Sequence, residues 1–141
     1  MPARSATSAV EATKPLDEKI TINVGYVDLG QIDLLVQEGF YANRTDLIRT
    51  AIRNLIATHA EAVKQAVARK TLVLGIQHFS AADLQALRKA KQVLNLRVLG
   101  LCSIAPDVTP ELALATIESV VVLGALHASP AVKAALAPRI R

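Results

Sequence analysis

The chain has 141 residues, is 52% apolar, and sets 16 Lys and Arg against 12 Asp and Glu for a net charge of +4, which suits one or two small domains with a sizeable core. Aromatic residues are only 3%, which excludes base-stacking RNA platforms, and the single cysteine, Cys102, excludes an internal disulfide and fits a reducing cytoplasm. No signal-peptide pattern and no apolar run of about 18 residues is present, so no membrane partner is expected, and valine-rich 120–128 is too short to span.

Residues 1–17, rich in Ala, Ser and Thr, read as a disordered tail. Next comes an alternating run, Lys19-Ile20-Thr21-Ile22-Asn23-Val24. As a strand it turns Ile20, Ile22 and Val24 to one face and Lys19, Thr21 and Asn23 to the other. Six residues make about 20 Å of strand, and one strand leaves its backbone donors and acceptors unpaired. No second strand follows until about residue 71, so the same strand of another chain, across a two-fold axis, is the simplest partner. Two helices come next. Asp28 is placed to cap the first, which carries Leu29, Ile32, Leu35 and Val36 on one face. Gly39 sits where a helix end needs a left-handed residue. Asn43 is placed to cap the second, with Asp46 three residues on in the position of a capping box. Leu47, Ile48, Ala51, Ile52, Leu55 and Ile56 form its apolar stripe, and His59 falls near its C-terminus.

The alternating strand, the joint Gly39-Phe40-Tyr41, and the run Asn43-Arg44-Thr45-Asp46-Leu47-Ile48-Arg49 with Ala51-Ile52-Arg53 together resemble the ribbon-helix-helix family, the class of the Arc, MetJ and CopG type repressors. The resemblance covers about 40 residues, taken as 18–62. It implies a dimer in which Lys19, Thr21 and Asn23 enter the DNA major groove and contact bases. Lys donates to guanine, Asn pairs with adenine through donor and acceptor, and Thr bonds or touches a thymine methyl. It implies that Asn43, Arg44 and Thr45 hold a DNA phosphate at the positive end of the second helix. An Arg44 that instead anchors the fold or pairs with an acidic neighbour is the alternative. Two departures stand out. Gly25-Tyr26 follows the strand where many members carry proline, and Gly30 weakens the first helix by roughly 1 kcal/mol relative to alanine. The charge does not concentrate on this segment. Residues 18–60 hold four basic and five acidic side chains, whereas residues 61–141 hold ten and five.

The second half, residues 70–141, contains a repeat. Leu72-Val73-Leu74-Gly75, Arg97-Val98-Leu99-Gly100 and Val121-Val122-Leu123-Gly124 correspond, with glycines 25 and 24 residues apart. A helix signal follows each: Ser80 with Asp83, Thr109-Pro110-Glu111, and Ser129-Pro130. The middle unit has about four extra residues before its helix. Three β-α units are expected over 70–93, 94–116 and 117–140, forming a small parallel sheet with helices on at least one side. Three strands leave two open edges, which call for edge-to-edge or face-to-face association with another chain. His78 and His127 hold equivalent places with Ser103 between. With strands in sequence order they stand about 10 Å apart, too far to share one metal, whereas adjacent first and third strands would let them share a site. No metal or other cofactor is expected. Cys102 reads as a small buried side chain.

No nucleotide loop, catalytic serine motif or paired carboxylate constellation is present, so the chain is read as not an enzyme. The expected class is mixed α/β: an N-terminal ribbon-helix-helix dimerisation unit followed by a small domain of three β-α repeats that serves oligomerisation. The expected function is a cytoplasmic, nucleoid-associated repressor binding double-stranded operator DNA as a homodimer, tetramer or larger assembly. Two alternatives are an antitoxin whose second half blocks a toxin protein and a self-assembling structural protein.

Overall fold

In the computed structural model of the protein, residues 16–141 are described, and the tail expected over 1–17 lies almost wholly outside them. The described chain divides into two compact units, Asp17–Ala66 and Val67–Arg141. Six α-helices and one three-stranded sheet are formed among the described residues, a mixed α/β protein.

In the first unit, α1 spans Tyr26–Gln37 and α2 spans Arg44–Thr58. The α1 helix starts earlier than expected. Its N-cap is Gly25, which has no side chain to offer, and Asp28 lies in the first turn rather than at the cap. Asp28 still favours that end through the helix dipole. At the other end Gly39 takes φ +86°. Its N–H donates to Val36 O at 3.1 Å, and Phe40 N–H donates to Leu35 O at 3.0 Å. This pair of bonds is a Schellman closure, which favours glycine at the left-handed position. His59 is the C-cap of α2. A third helix, α3 at Ala60–Lys70, goes beyond the sequence-based expectation, and its residues from Val67 on belong to the second unit. Its sequence AEAVKQAVARK is built of strong helix formers.

The second unit alternates strand and helix: β1 Val73–Phe79, α4 Ala81–Lys89, β2 Leu94–Ile104, α5 Pro110–Thr116, β3 Ile117–His127 and α6 Pro130–Leu136, then a 3-10 turn at Ala137–Arg139. The strands pair in parallel in the order β1-β2-β3. Caps define the helix starts. Ser80 and Asp83 form a reciprocal capping box, and backbone and side-chain hydrogen bonds from Ser80 hold the Asp83 carboxyl below its ordinary pKa. Thr109 and Ser129 accept from Leu112 N–H and Val132 N–H, each with proline in the first turn. The extra residues of the middle unit bury Val108 and bring Asp107 Oδ1 to the N–H of Ala81 at 3.3 Å, at the start of α4.

One sheet face and the helices make the core. Leu96, Val98, Cys102 and Ile104 of β2 and Ile117 and Val120 of β3 pack with Leu84 of α4, Leu112 and Ala113 of α5, and Val132 and Leu136 of α6. All three helices therefore lie on the same face. Buried Thr116 is satisfied by donating to Leu112 O at 2.7 Å. Burial pushes the Cys102 thiol up to about 11, so it is protonated at neutral pH and behaves as an apolar filler. Leu84 is fully buried. Leu84→Ala should destabilise the protein by about 2–5 kcal/mol through lost burial and the cavity left behind. Urea unfolding with an unchanged slope would register it as a midpoint shift.

The glycines of the repeat occupy matched ladder positions, Gly75 beside Gly100 and Gly100 beside Gly124. All three have positive φ, at +130°, +138° and +122°. A Cβ on Gly100 would land on the carbonyl oxygen of Gly75, and one on Gly124 on the carbonyl oxygen of Gly100. His78, Ser103 and His127 share the next-but-two position across the strands. Beyond β3, Ile140 bridges to Val120, and Arg141 N–H donates to Val120 O at 2.9 Å. Arg139 Nη1 fixes this turn by donating to Leu114 O and Ile117 O at 2.7 and 2.6 Å.

Candidate nucleic-acid interface

Residues 19–24 form no ladder among the described residues. The alternating pattern is present, but a strand needs a hydrogen-bonding neighbour, and no other described segment supplies one. Both sets of side chains are exposed: Lys19, Thr21 and Asn23, and also Ile20, Ile22 and Val24. The apolar set is left without a core. The helices repeat this finding, since neither α1 nor α2 contains a buried residue. Ile52, Leu55 and Ile56, on the stripe of α2, are 45%, 63% and 58% exposed.

The joint between the helices is tightly specified. Asn43 Oδ1 accepts from Asp46 N–H at 2.8 Å, the expected N-cap of α2. The return bond differs from a capping box: Asp46 Oδ2 accepts from Ala42 N–H at 2.9 Å, one residue further back than the cap itself. Among the described residues, no acceptor meets the N–H groups of Arg44 and Thr45. They stand at the positive end of α2, partly offset by the Asp46 carboxylate.

Arg44 itself is engaged. Its Nε and Nη2 donate to Oδ1 and Oδ2 of Asp33 at 2.7 and 2.8 Å, a two-point pair between α2 and α1. These hydrogen bonds hold the Asp33 carboxyl below its ordinary pKa and raise that of Arg44. The pair therefore contributes stability above the usual carboxylate range and loses it as pH falls through the depressed Asp33 value. Sequence allowed both a phosphate and an acidic partner for Arg44, and in the unbound chain the acidic partner holds it. Asp33 carries no sequence signal for this role, because a pair 11 residues apart across a turn has no periodic signature. Asp33→Asn and Arg44→Gln should lower the melting temperature by similar amounts, and the double variant by no more than either. Additive losses would show that the pair is not coupled.

Lys19, Thr21 and Asn23 lie along the exposed segment before α1, while Asn43, Arg44 and Thr45 lie together at the start of α2. In the second unit, no group of three or more His, Cys, Asp or Glu is arranged to hold a metal among the described residues. An exposed unpaired segment with an alternating sequence, followed by two helices without a fully buried residue and a capped joint between them, is the arrangement expected of a ribbon-helix-helix chain on its own. The chain belongs to the ribbon-helix-helix transcriptional regulator family, whose model matches residues 15–133. The match runs through the sheet unit as well as the helical one. No curated protein and no solved structure matches the chain. Members of this family bind DNA and typically dimerise. No helix among the described residues is long and apolar enough to cross a membrane.

Proposed function

We propose that the chain is a sequence-specific repressor that binds operator DNA as a homodimer through its first unit. The observation that carries this reading is the coreless state of that unit. Ile20 and Ile22 are 75% and 65% exposed beside helices whose apolar stripes are at most half-buried, which an isolated unit could not sustain in water. Pairing residues 19–24 with the same segment of a second chain satisfies the backbone and lets the apolar faces of four helices close on one another. The opposite strand face then presents Lys19, Thr21 and Asn23, a donor, a hydroxyl and an amide suited to base edges in the major groove. The N–H groups of Arg44 and Thr45, with Asn43 shaping the cap, take a phosphate. Arg44 serves first as the brace between α1 and α2, and its remaining donors are available to phosphate.

The sheet unit is the assembly domain in this reading. Joining dimers through the edge strand β1, and so without the open sheet face, would let one complex hold repeated half-sites and raise affinity through multivalency. Selection of bound duplexes from random DNA, followed by mass measurement of the complex, tests the proposal. It should return a repeated short half-site and an even number of chains. Recovery of unrelated sequences with no shared half-site would overturn it.

A further inference from the structure

The helices of the second unit cover one sheet face, and the register places two apolar rows on the other. Leu74, Leu99 and Leu123 form one row, and Ile76, Leu101 and Ala125 the next. Leu74 is 70% exposed, Ile76 65% and Leu123 50%. Within this unit no described element lies over them, although parallel sheets almost always have both faces covered. The patch is bounded by Arg97, whose Nε donates to Lys70 O at 2.8 Å, and by the polar row His78, Ser103 and His127. Its centre holds no charge.

We propose that this face is covered by the same face of a second copy of the chain, packed sheet on sheet. Two identical aliphatic faces can meet without burying a charge, and a two-fold contact needs only one self-complementary patch. Size decides between a second copy and a foreign partner. Three strands about 4.8 Å apart and two to three side-chain rows give roughly 300 Å², against about 800 Å² per partner for a stable free-standing interface. A separate protein would hold such a patch weakly. A copy already tethered by the ribbon meets it at an effective concentration of about a millimolar. The inference rests on the dimer reading for that tether and does not depend on DNA.

Carbene photolabelling of the full chain, read residue by residue, tests it beside sedimentation. Leu74 and Ile76 should be labelled several-fold less in the wild type than in Leu123→Glu, while Leu84 stays unlabelled in both. Leu123 is half exposed in the single chain, so a charge there should leave the fold intact, as circular dichroism will show. Leu74→Glu, at a still more exposed position, serves if the first variant fails to fold, with Ile76 and Leu101 as reporters. Equal labelling of wild type and variant overturns the proposal. So does protection that persists after dilution to the monomer, since the chain's own residues would then be the cover. A dimer with Leu74 and Ile76 freely labelled overturns the face pairing and leaves the ribbon standing. A chain with no dimer at all removes both.

Discussion

Gly100→Ala should destabilise the protein by about 4 kcal/mol or more, most of the margin of an ordinary domain. Two effects add at this position. Its φ of +138° lies where L-residues rarely go, a strain of about 1–3 kcal/mol. The added methyl would also land on the carbonyl oxygen of Gly75. That oxygen belongs to the neighbouring strand, so relief requires the ladder itself to part. Gly124→Ala should behave alike, because its methyl would strike the carbonyl of Gly100. Gly75→Ala is the internal control. It shares the backbone strain, at φ +130°, but nothing lies within 4 Å of its added carbon. It should cost only about 1–3 kcal/mol. Urea unfolding of the three variants gives the order directly. Equal losses at Gly75 and Gly100 would show that the close approach between strands does not matter.

Asn23→Ala should reduce discrimination at one base pair of each half-site by about 1–3 kcal/mol, or roughly 5- to 150-fold. The variant removes a donor and an acceptor but no charge, so the salt dependence of binding should stay unchanged. Lys19→Ala should differ if its charge lies near phosphate. The slope of log affinity against log salt should then fall by about 0.9 per charge removed. The first unit carries slightly more acid than base, which predicts a shallow slope for the wild type as well. Gel shifts over a salt series, with the selected site and single-base variants, separate the two outcomes. An Asn23→Ala protein with unaltered site preference would sink the strand-readout reading.

Local chemistry explains which features were legible beforehand. Asn43, Ser80, Thr109 and Ser129 cap helices where their short polar side chains signal it. The glycine spacing marks matched ladder positions because each repeat returns the chain to the same level of the sheet. Features that depend on three-dimensional reach were hidden. Asp28 looked like a cap, but α1 begins before it at Gly25. Asp46 reaches back to Ala42 rather than to the cap residue. The Arg44–Asp33 pair crosses the joint. Only His59 separates α3 from α2, so no turn signal marks where α3 begins. The 19–24 segment is legible as a pattern, yet no other described segment pairs with it, and the proposed dimer would supply the partner from a second chain.

The glycine row also bears on how the sheet finds its alignment while folding. The three strands carry near-identical Leu-Gly text, so side-chain chemistry alone would tolerate several misregistered or exchanged pairings. A shift of one residue would bring Leu99 or Leu101 to the position where Gly100 now meets the Gly75 carbonyl, and neither can fit. Misregister is thus penalised by the backbone. Exchange of whole strands between copies is not, because each strand brings its own glycine at the same level. Refolding at high protein concentration should therefore yield strand-swapped oligomers with native-like alignment rather than shifted ones.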